Sequence, residues 1–191
     1  MVDGIIIALS PGKNKWYTDL CAVPGGRMNA PVDRYIFISH EEEIVFMTVG
    51  IRPFEIGDAE SICRLNAEEM GYDFPLEQTV KKLTALAGSP RDRIFVAVAD
   101  SAVVGYVHAN NYDLIYAPHM KNIMGIAVAK RYRRRGIGKA LLDEVEAWAK
   151  RTGACGVRLV SGISRTGAHE FYRRCGYGCE KEQINFKKFF S

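Results

Sequence analysis

The spacing of apolar positions along this chain changes in an order that reads as strand, helices, strands, helix, strand, helix. From Met47, TVGIRP has strand character, and Asp58 stands where it would cap a helix through Met70 that buries Ile62 and Leu65 and stops at Gly71. A second short helix is expected from Leu76 to Ala87, before the loop GSPRDR. RIFVAVADSAVVGYVHAN then supplies two β-rich runs parted by Asp100 and Ser101, which predicts a hairpin of two central antiparallel strands. After a polar connection containing Pro118, the apolar run NIMGIAVA, Asn122 to Ala129, predicts a strand buried on both faces.

Helical spacing returns at Ile137, with Leu141, Val145 and Trp148 on one side and Lys139, Asp143, Glu146 and Lys150 on the other. Glu146 and Lys150 form a favourable i,i+4 pair, and Gly153 is the stop signal. GVRLVSG reads as another strand, so strand, helix and strand together imply a βαβ crossover with parallel pairing. A helix from Thr166 to Cys175 places Ala168, Phe171, Tyr172 and Cys175 on one face and ends at Gly176; the tail YGCEKEQINFKKFF is expected to form a closing pair of strands. The pattern is that of a mixed α/β domain without internal repeats.

The first 46 residues are less regular. SPGKNKW and VPGGRMNAP are turn-rich, while RYIFIS and EIVFM look strand-like without clear partners. The expected division is an amino-terminal extension over residues 1–46, with Met47 as an alternative start, and a compact domain over residues 47–191. The opening run MVDGIIIALS is neither a convincing signal peptide nor a membrane span, so a soluble, cytoplasmic protein without membrane partners is expected.

Composition narrows this picture only slightly. The 191 residues are 48% hydrophobic and 25% charged, enough for a full core, and a net charge of +4 is too small to argue for nucleic acid by itself. Five cysteines form an odd set without CxxC spacing, and His169, Cys175 and Cys179 lack a second close ligand pair, so reduced thiols and no metal are expected.

One cluster of charge does matter. RYRRRGIGKALL places Arg133, Arg134, Arg135 and Lys139 at the amino end of the predicted Ile137 helix, where the helix dipole disfavours cations by up to about 1 kcal/mol each. An anion held among the unpaired N–H groups would compensate, and Gly136 and Gly138 would let a phosphate approach the backbone. The spacing fails as a P-loop at Arg133 and Ala140, and as a dinucleotide fingerprint at Leu141. A nucleic-acid patch built on KRYRRR is weakened by the shortness of the basic run, and a solvated arginine surface leaves the glycines and the preceding apolar strand unexplained.

IAVAKRYRRRGIGKALL contains the pattern (Arg/Gln)-x-x-Gly-x-(Gly/Ala) as Arg133, Gly136 and Gly138, and AHEFYRRCGY follows downstream. Together with the start TVGIRPFEIGDAESI, these segments resemble the GNAT superfamily of acetyl-CoA-dependent N-acetyltransferases over residues 47 to 190. The resemblance implies an α/β (mixed α+β) fold with a central mixed, mostly antiparallel sheet, helices on both faces and a splayed pair of parallel strands. It implies acetyl-CoA as co-substrate, its pyrophosphate held by the backbone from Arg133 through Arg134, Arg135, Gly136, Ile137 and Gly138 to Lys139, and its pantetheine arm laid beside Ile126, Ala127 and Val128. Tyr172 falls at the family's general acid, which would protonate the departing thiolate. The family often has asparagine where this chain has Arg165, an arginine able to meet a phosphate.

Direct attack by a neutral amine in a ternary complex would follow, with the oxyanion held by a backbone N–H near Val128. His108, Glu68 or Glu69 would accept the proton; Glu68, Glu69, Asp73 and Glu77 would attract a cationic acceptor between walls supplied by Tyr72 and Phe74. The acceptor class stays open between a small-molecule amine and a protein amine, as does a homodimer. A non-catalytic acyl-CoA-binding sensor or regulatory module is the alternative, and Tyr172 argues against it.

Overall fold

The computed structural model describes residues 34–40 and 43–190. The remaining positions, including Cys21, the turn-rich segments and the amino-terminal apolar run, lie outside the described residues. One sheet of six strands in the order β1 to β6 organises the domain: β1 Arg34–His40, β2 Glu43–Pro53, β3 Asp92–Ala99, β4 Ala102–Leu114, β5 Ala117–Val128 and β6 Val157–Leu159. The first five are an antiparallel meander, and β6 joins parallel to β5. Met47 lies inside β2, and the strand-like runs on its amino-terminal side pair with each other from Arg34↔Val49 to His40↔Glu43.

Among the described residues, four α-helices cover the two faces of this sheet. On one side, α1 Ala59–Leu65 and α2 Leu76–Ala87 bury Ile62, Leu65 and Leu83 against Ile94, Val96, Tyr106 and Ala127. On the other, α3 Ile137–Arg151 sets Ile137, Leu141, Leu142, Val145 and Trp148 onto Phe95, Ala97, Val107, Ala109 and Ile123, and α4 Thr166–Arg174 adds Phe171 and Tyr172 to that cluster. Leu141, Leu142 and Val145 are fully buried, each contributing about 1.5–3 kcal/mol of apolar burial. The stripe read from the sequence is therefore the one that holds α3 in place.

Several local expectations hold. Asp100 (φ 49°) and Ser101 (φ 63°) both take left-handed conformations in the β3–β4 turn, the backbone that a two-residue hairpin loop needs to match strand twist. Gly71 caps the first helical segment at φ 76°, and α2 has the expected bounds. The segment before Gly71 is less uniform than its periodicity predicts: a 3-10 turn at Ile56–Asp58, then α1, then a π turn at Asn66–Met70.

Other expectations are corrected. Asp58 does not cap α1 with its side chain; its carboxylate accepts from the Glu55 N–H at 2.9 Å and from both terminal nitrogens of Arg52 at 2.7 and 2.8 Å. The Pro118 connection is not a loop, because β4 and β5 extend as a long hairpin up to Ile115 and Tyr116. Nor is β5 buried on both faces: Met124 is the extra residue of a β-bulge opposite His108 and Ala109 and is 56% exposed. Glu146 accepts a hydrogen bond from the Tyr177 hydroxyl at 3.1 Å, and the ion pair on α3 is Lys139–Asp143 instead. Residues 177–190 form no strand. Their alternation breaks at Lys187–Lys188, β6 offers an edge of only three residues, and Ile184, Phe186, Phe189 and Phe190 are exposed.

A buried lysine escapes any reading of periodicity. Lys121, 1% exposed, donates to Asn111 Oδ1 at 2.6 Å and lies 3.0 Å from His119 Nε2, with its ammonium 4.0 Å from the centre of the Trp148 ring. Burial pushes its pKa down, opposed by Asp113, which holds His119 Nδ1 at 2.5 Å.

Burial pushes the Asp58 carboxyl up, but the Arg52 guanidinium and the Glu55 N–H outweigh it and hold the group below the usual carboxylate range. A depressed folded pKa gives stability that is complete above the unfolded value of about 4 and is lost as pH falls through the folded one. Asp58→Asn is therefore expected to destabilise the protein by about 1–3 kcal/mol at pH 7. Urea denaturation at pH 7 and pH 3 should show that the difference shrinks in acid.

Candidate active site

The site begins where β5 and β6 part. Their ladder contains three residue pairs, Lys121↔Val157, Asn122↔Arg158 and Ile123↔Leu159. Beyond Ile123, among the described residues, no strand pairs with β5 on that side, while its other side stays bonded to β4 through Val128↔Gly105. The segment from Met124 to Val128, which includes Ile126, Ala127 and Val128, thus presents an open backbone edge. It leads through a 3-10 turn, Lys130–Tyr132, directly to the amino end of α3.

The backbone of that connection is unusual. Arg134 has φ 64° and Gly136 φ 75°, so two of the three residues from Arg134 to Gly136 are left-handed, a pattern that turns successive N–H groups toward one concavity. Gly136 needs its freedom for this conformation, and nothing lies within 4 Å of where a side chain would start. Gly138 is small for a different reason: a Cβ there would stand 3.0 Å from the Phe171 ring. The second glycine of the motif accommodates α4.

The cationic side chains are distributed more tightly than the sequence indicates. Arg133 Nε donates to Val128 O at 3.0 Å and its Nη2 bonds Glu69 Oε2, while the Lys130 N–H donates to Glu69 Oε1 at 2.7 Å. Arg131 and Arg135 lie over the Tyr132 ring at 4.9 and 5.5 Å, and Lys139 pairs with Asp143 at 2.7 Å. Glu69 is thus drawn to the loop, away from the exposed position of Glu68, and its side chain is only 9% exposed.

Tyr172 is half-buried beside Phe171 and Tyr177, with ring centroids 5.3 and 6.1 Å away. Its hydroxyl has no hydrogen-bond partner among the described residues. Burial raises its pKa and Arg165 opposes the rise, so the phenol keeps its proton at neutral pH. Arg165, at the amino end of α4, reaches Met70 O at 3.4 Å.

Across the sheet, His108 Nε2 lies 2.9 Å from Asp92 Oδ1, and Ser89 Oγ donates to Asp92 Oδ2 at 2.6 Å. The imidazole is partly buried and oriented by a carboxylate, the arrangement that fixes a tautomer. Tyr106, two residues earlier on β4, bonds Asn66 Oδ1 and approaches Met70 Sδ at 3.5 Å; burial, with Tyr72 adding to it, pushes its pKa up to about 12. Tyr72 itself is 60% exposed and Asp73 and Glu77 are exposed too, while Phe74 is half-buried under Lys82. Sequence reasoning missed Asn66, Met70 and Tyr106, which carry no motif and meet only through tertiary packing.

Gly138→Val should force the Phe171 ring aside and cost about 1–3 kcal/mol, whereas Gly136→Ala should cost only its left-handed strain, about 1 kcal/mol. Guanidinium denaturation of the two variants checks this order.

Residues 59–177 match the model of the acetyltransferase (GNAT) family. Over 95 residues the chain is 36% identical to an uncharacterized N-acetyltransferase of Methanocaldococcus jannaschii, a match covering 49% of this chain and 42% of that protein. It is 28% identical over 135 residues to an N-alpha-acetyltransferase of Sulfurisphaera tokodaii, covering 66% and 78% of the two chains. An aminoglycoside N-acetyltransferase solved in complex with CoA superposes with a TM-score of 0.67 at 19% identity, covering 74% of this chain and 95% of that one. The fold agrees with these matches, and the chain belongs to the acetyltransferase (GNAT) family.

Proposed function

We propose that the protein transfers the acetyl group of acetyl-CoA to a primary amine of a small molecule by direct attack within a ternary complex. The observation that carries this reading is the open edge of β5 from Met124 to Val128, continuous with the left-handed loop at the start of α3. The pantetheine amides would complete that edge as an added strand, and the loop N–H groups from Arg134 to Lys139 would receive the pyrophosphate, the Arg133 N–H being donated to Lys130 O at 3.2 Å. A CoA complex in a structural relative supports the choice of donor.

The chemistry then falls to this chain's own groups. The backbone N–H near Val128 would hold the oxyanion as the amine adds to the thioester carbonyl. Collapse of the adduct breaks the C–S bond, and the Tyr172 hydroxyl, protonated and without a hydrogen-bond partner among the described residues, gives its proton to the departing thiolate. His108, aligned by Asp92, is the proton acceptor for the amine. Similarity to aminoglycoside acetyltransferases favours a small-molecule acceptor over a protein one. Glu68 and Tyr72, both exposed on the segment between α1 and α2, would then line its approach.

Acetyl-CoA at about 100 times its Kd should stabilise the folded protein by about 2.7 kcal/mol in a thermal-shift measurement; no shift at saturation would refute the donor site. Tyr172→Phe should lower thiol release across an amine panel on the order of 100-fold with acetyl-CoA affinity unchanged. Parallel loss of affinity would make Tyr172 structural, and binding without turnover in the unaltered protein would mark a sensor. Gly136→Asp should abolish binding by setting a negative side chain at the pyrophosphate, read by calorimetry.

A further inference from the structure

Glu69 and Arg133 were expected to face ligands, one an amine acceptor and the other a phosphate. The structure pairs them with each other instead, the Glu69 side chain 9% exposed and that of Arg133 50% exposed. Glu69, on the π turn, spends one carboxylate oxygen on the Lys130 N–H and the other on the Arg133 guanidinium; Arg133 spends its Nε on the carbonyl of Val128, the last residue of β5. One acid thus holds both ends of the turn that separates the open strand edge from the glycine loop. Directly after Arg133 comes the left-handed Arg134, a conformation that a residue other than glycine keeps only where its surroundings over-determine it.

The same π turn is tied elsewhere. Asn66 accepts from the Tyr106 hydroxyl, Met70 Sδ approaches that oxygen, and Met70 O receives Arg165 from α4. Glu69 therefore stands on an element anchored to β4 and α4, which lets it fix the loop against the sheet.

Building on the proposed donor site, we infer that Glu69 is a positioning residue: through Arg133 and the Lys130 N–H it holds the pyrophosphate loop in its binding conformation before the cofactor arrives. The sign of its effect separates this role from simple charge. A carboxylate near a pyrophosphate repels it, and a carboxylate that occupies Arg133 competes with it, so on charge alone Glu69→Gln would tighten acetyl-CoA. As a clamp, Glu69→Gln loosens binding, because an amide cannot accept from Arg133 and Lys130 at once without turning its NH2 toward one donor.

Two measurements test this. Hydrogen exchange of the free protein should show faster exchange of amides 130–136 in Glu69→Gln with the rest of the sheet unchanged; unaltered protection there would overturn the clamp whether or not acetyl-CoA binds. Calorimetry with acetyl-CoA should show about tenfold weaker binding for Glu69→Gln and for Arg133→Met, and no further loss in the double variant. Arg133→Lys should fail like Arg133→Met, since one ammonium cannot serve Val128 O and Glu69 together. Tighter binding in Glu69→Gln, or full rescue by lysine, would assign Arg133 to the phosphate and end the proposal. No binding by the unaltered protein would instead remove the donor-site reading and leave the exchange result to judge the clamp.

Discussion

Backbone N–H and C=O groups must be satisfied wherever water is scarce, and β5 meets that demand on the β6 side for only three residues. After Ile123 no neighbouring strand continues on that side among the described residues, yet β5 runs on to Val128 because β4 still holds its other edge. The sheet is thus complete on one side of this segment and unfinished on the other. The bulge at Met124 falls where the completed ladder becomes the unfinished one, and it adds local twist at the point of divergence.

The rigidity of the surroundings gives that gap its value. α3 is fixed by a continuous buried stripe, and its first turn inherits that fixity, so the loop before it is stretched between two immobile supports: the end of β5 and the start of α3. Glu69 adds a third support from the opposite face of the sheet. Phe171 occupies the space that Gly138 leaves, and the Tyr172 ring stands 5.3 Å from it on α4.

Periodicity and turn chemistry made much of this legible. The α3 stripe, the bounds of α2, the Asp100–Ser101 turn and the parallel pairing of the strand after α3 all follow from spacing that only one backbone conformation satisfies. The glycine motif pointed to the proposed site for a local reason, cations where a helix dipole disfavours them. What stayed hidden depends on contacts distant in sequence. Glu69 meets Arg133 across 64 positions, Tyr106 meets Asn66 across 40, and Lys121 is buried because Asn111, His119 and Trp148 happen to converge on it. The tail misled because its alternation resembled a strand, while a strand also needs an edge long enough to receive it.

The π turn at Asn66–Met70 has a consequence for how this protein tolerates changes in length. A π turn is an α-helix carrying one additional residue, so removing a single amino acid from Asn66–Met70 would let the α-helical ladder run through unbroken. Every later residue of the segment would rotate by about 100° about the helix axis and Glu69 would swing off the loop, although no side chain named in the motif had changed. The register of this short turn is thus fixed to the residue.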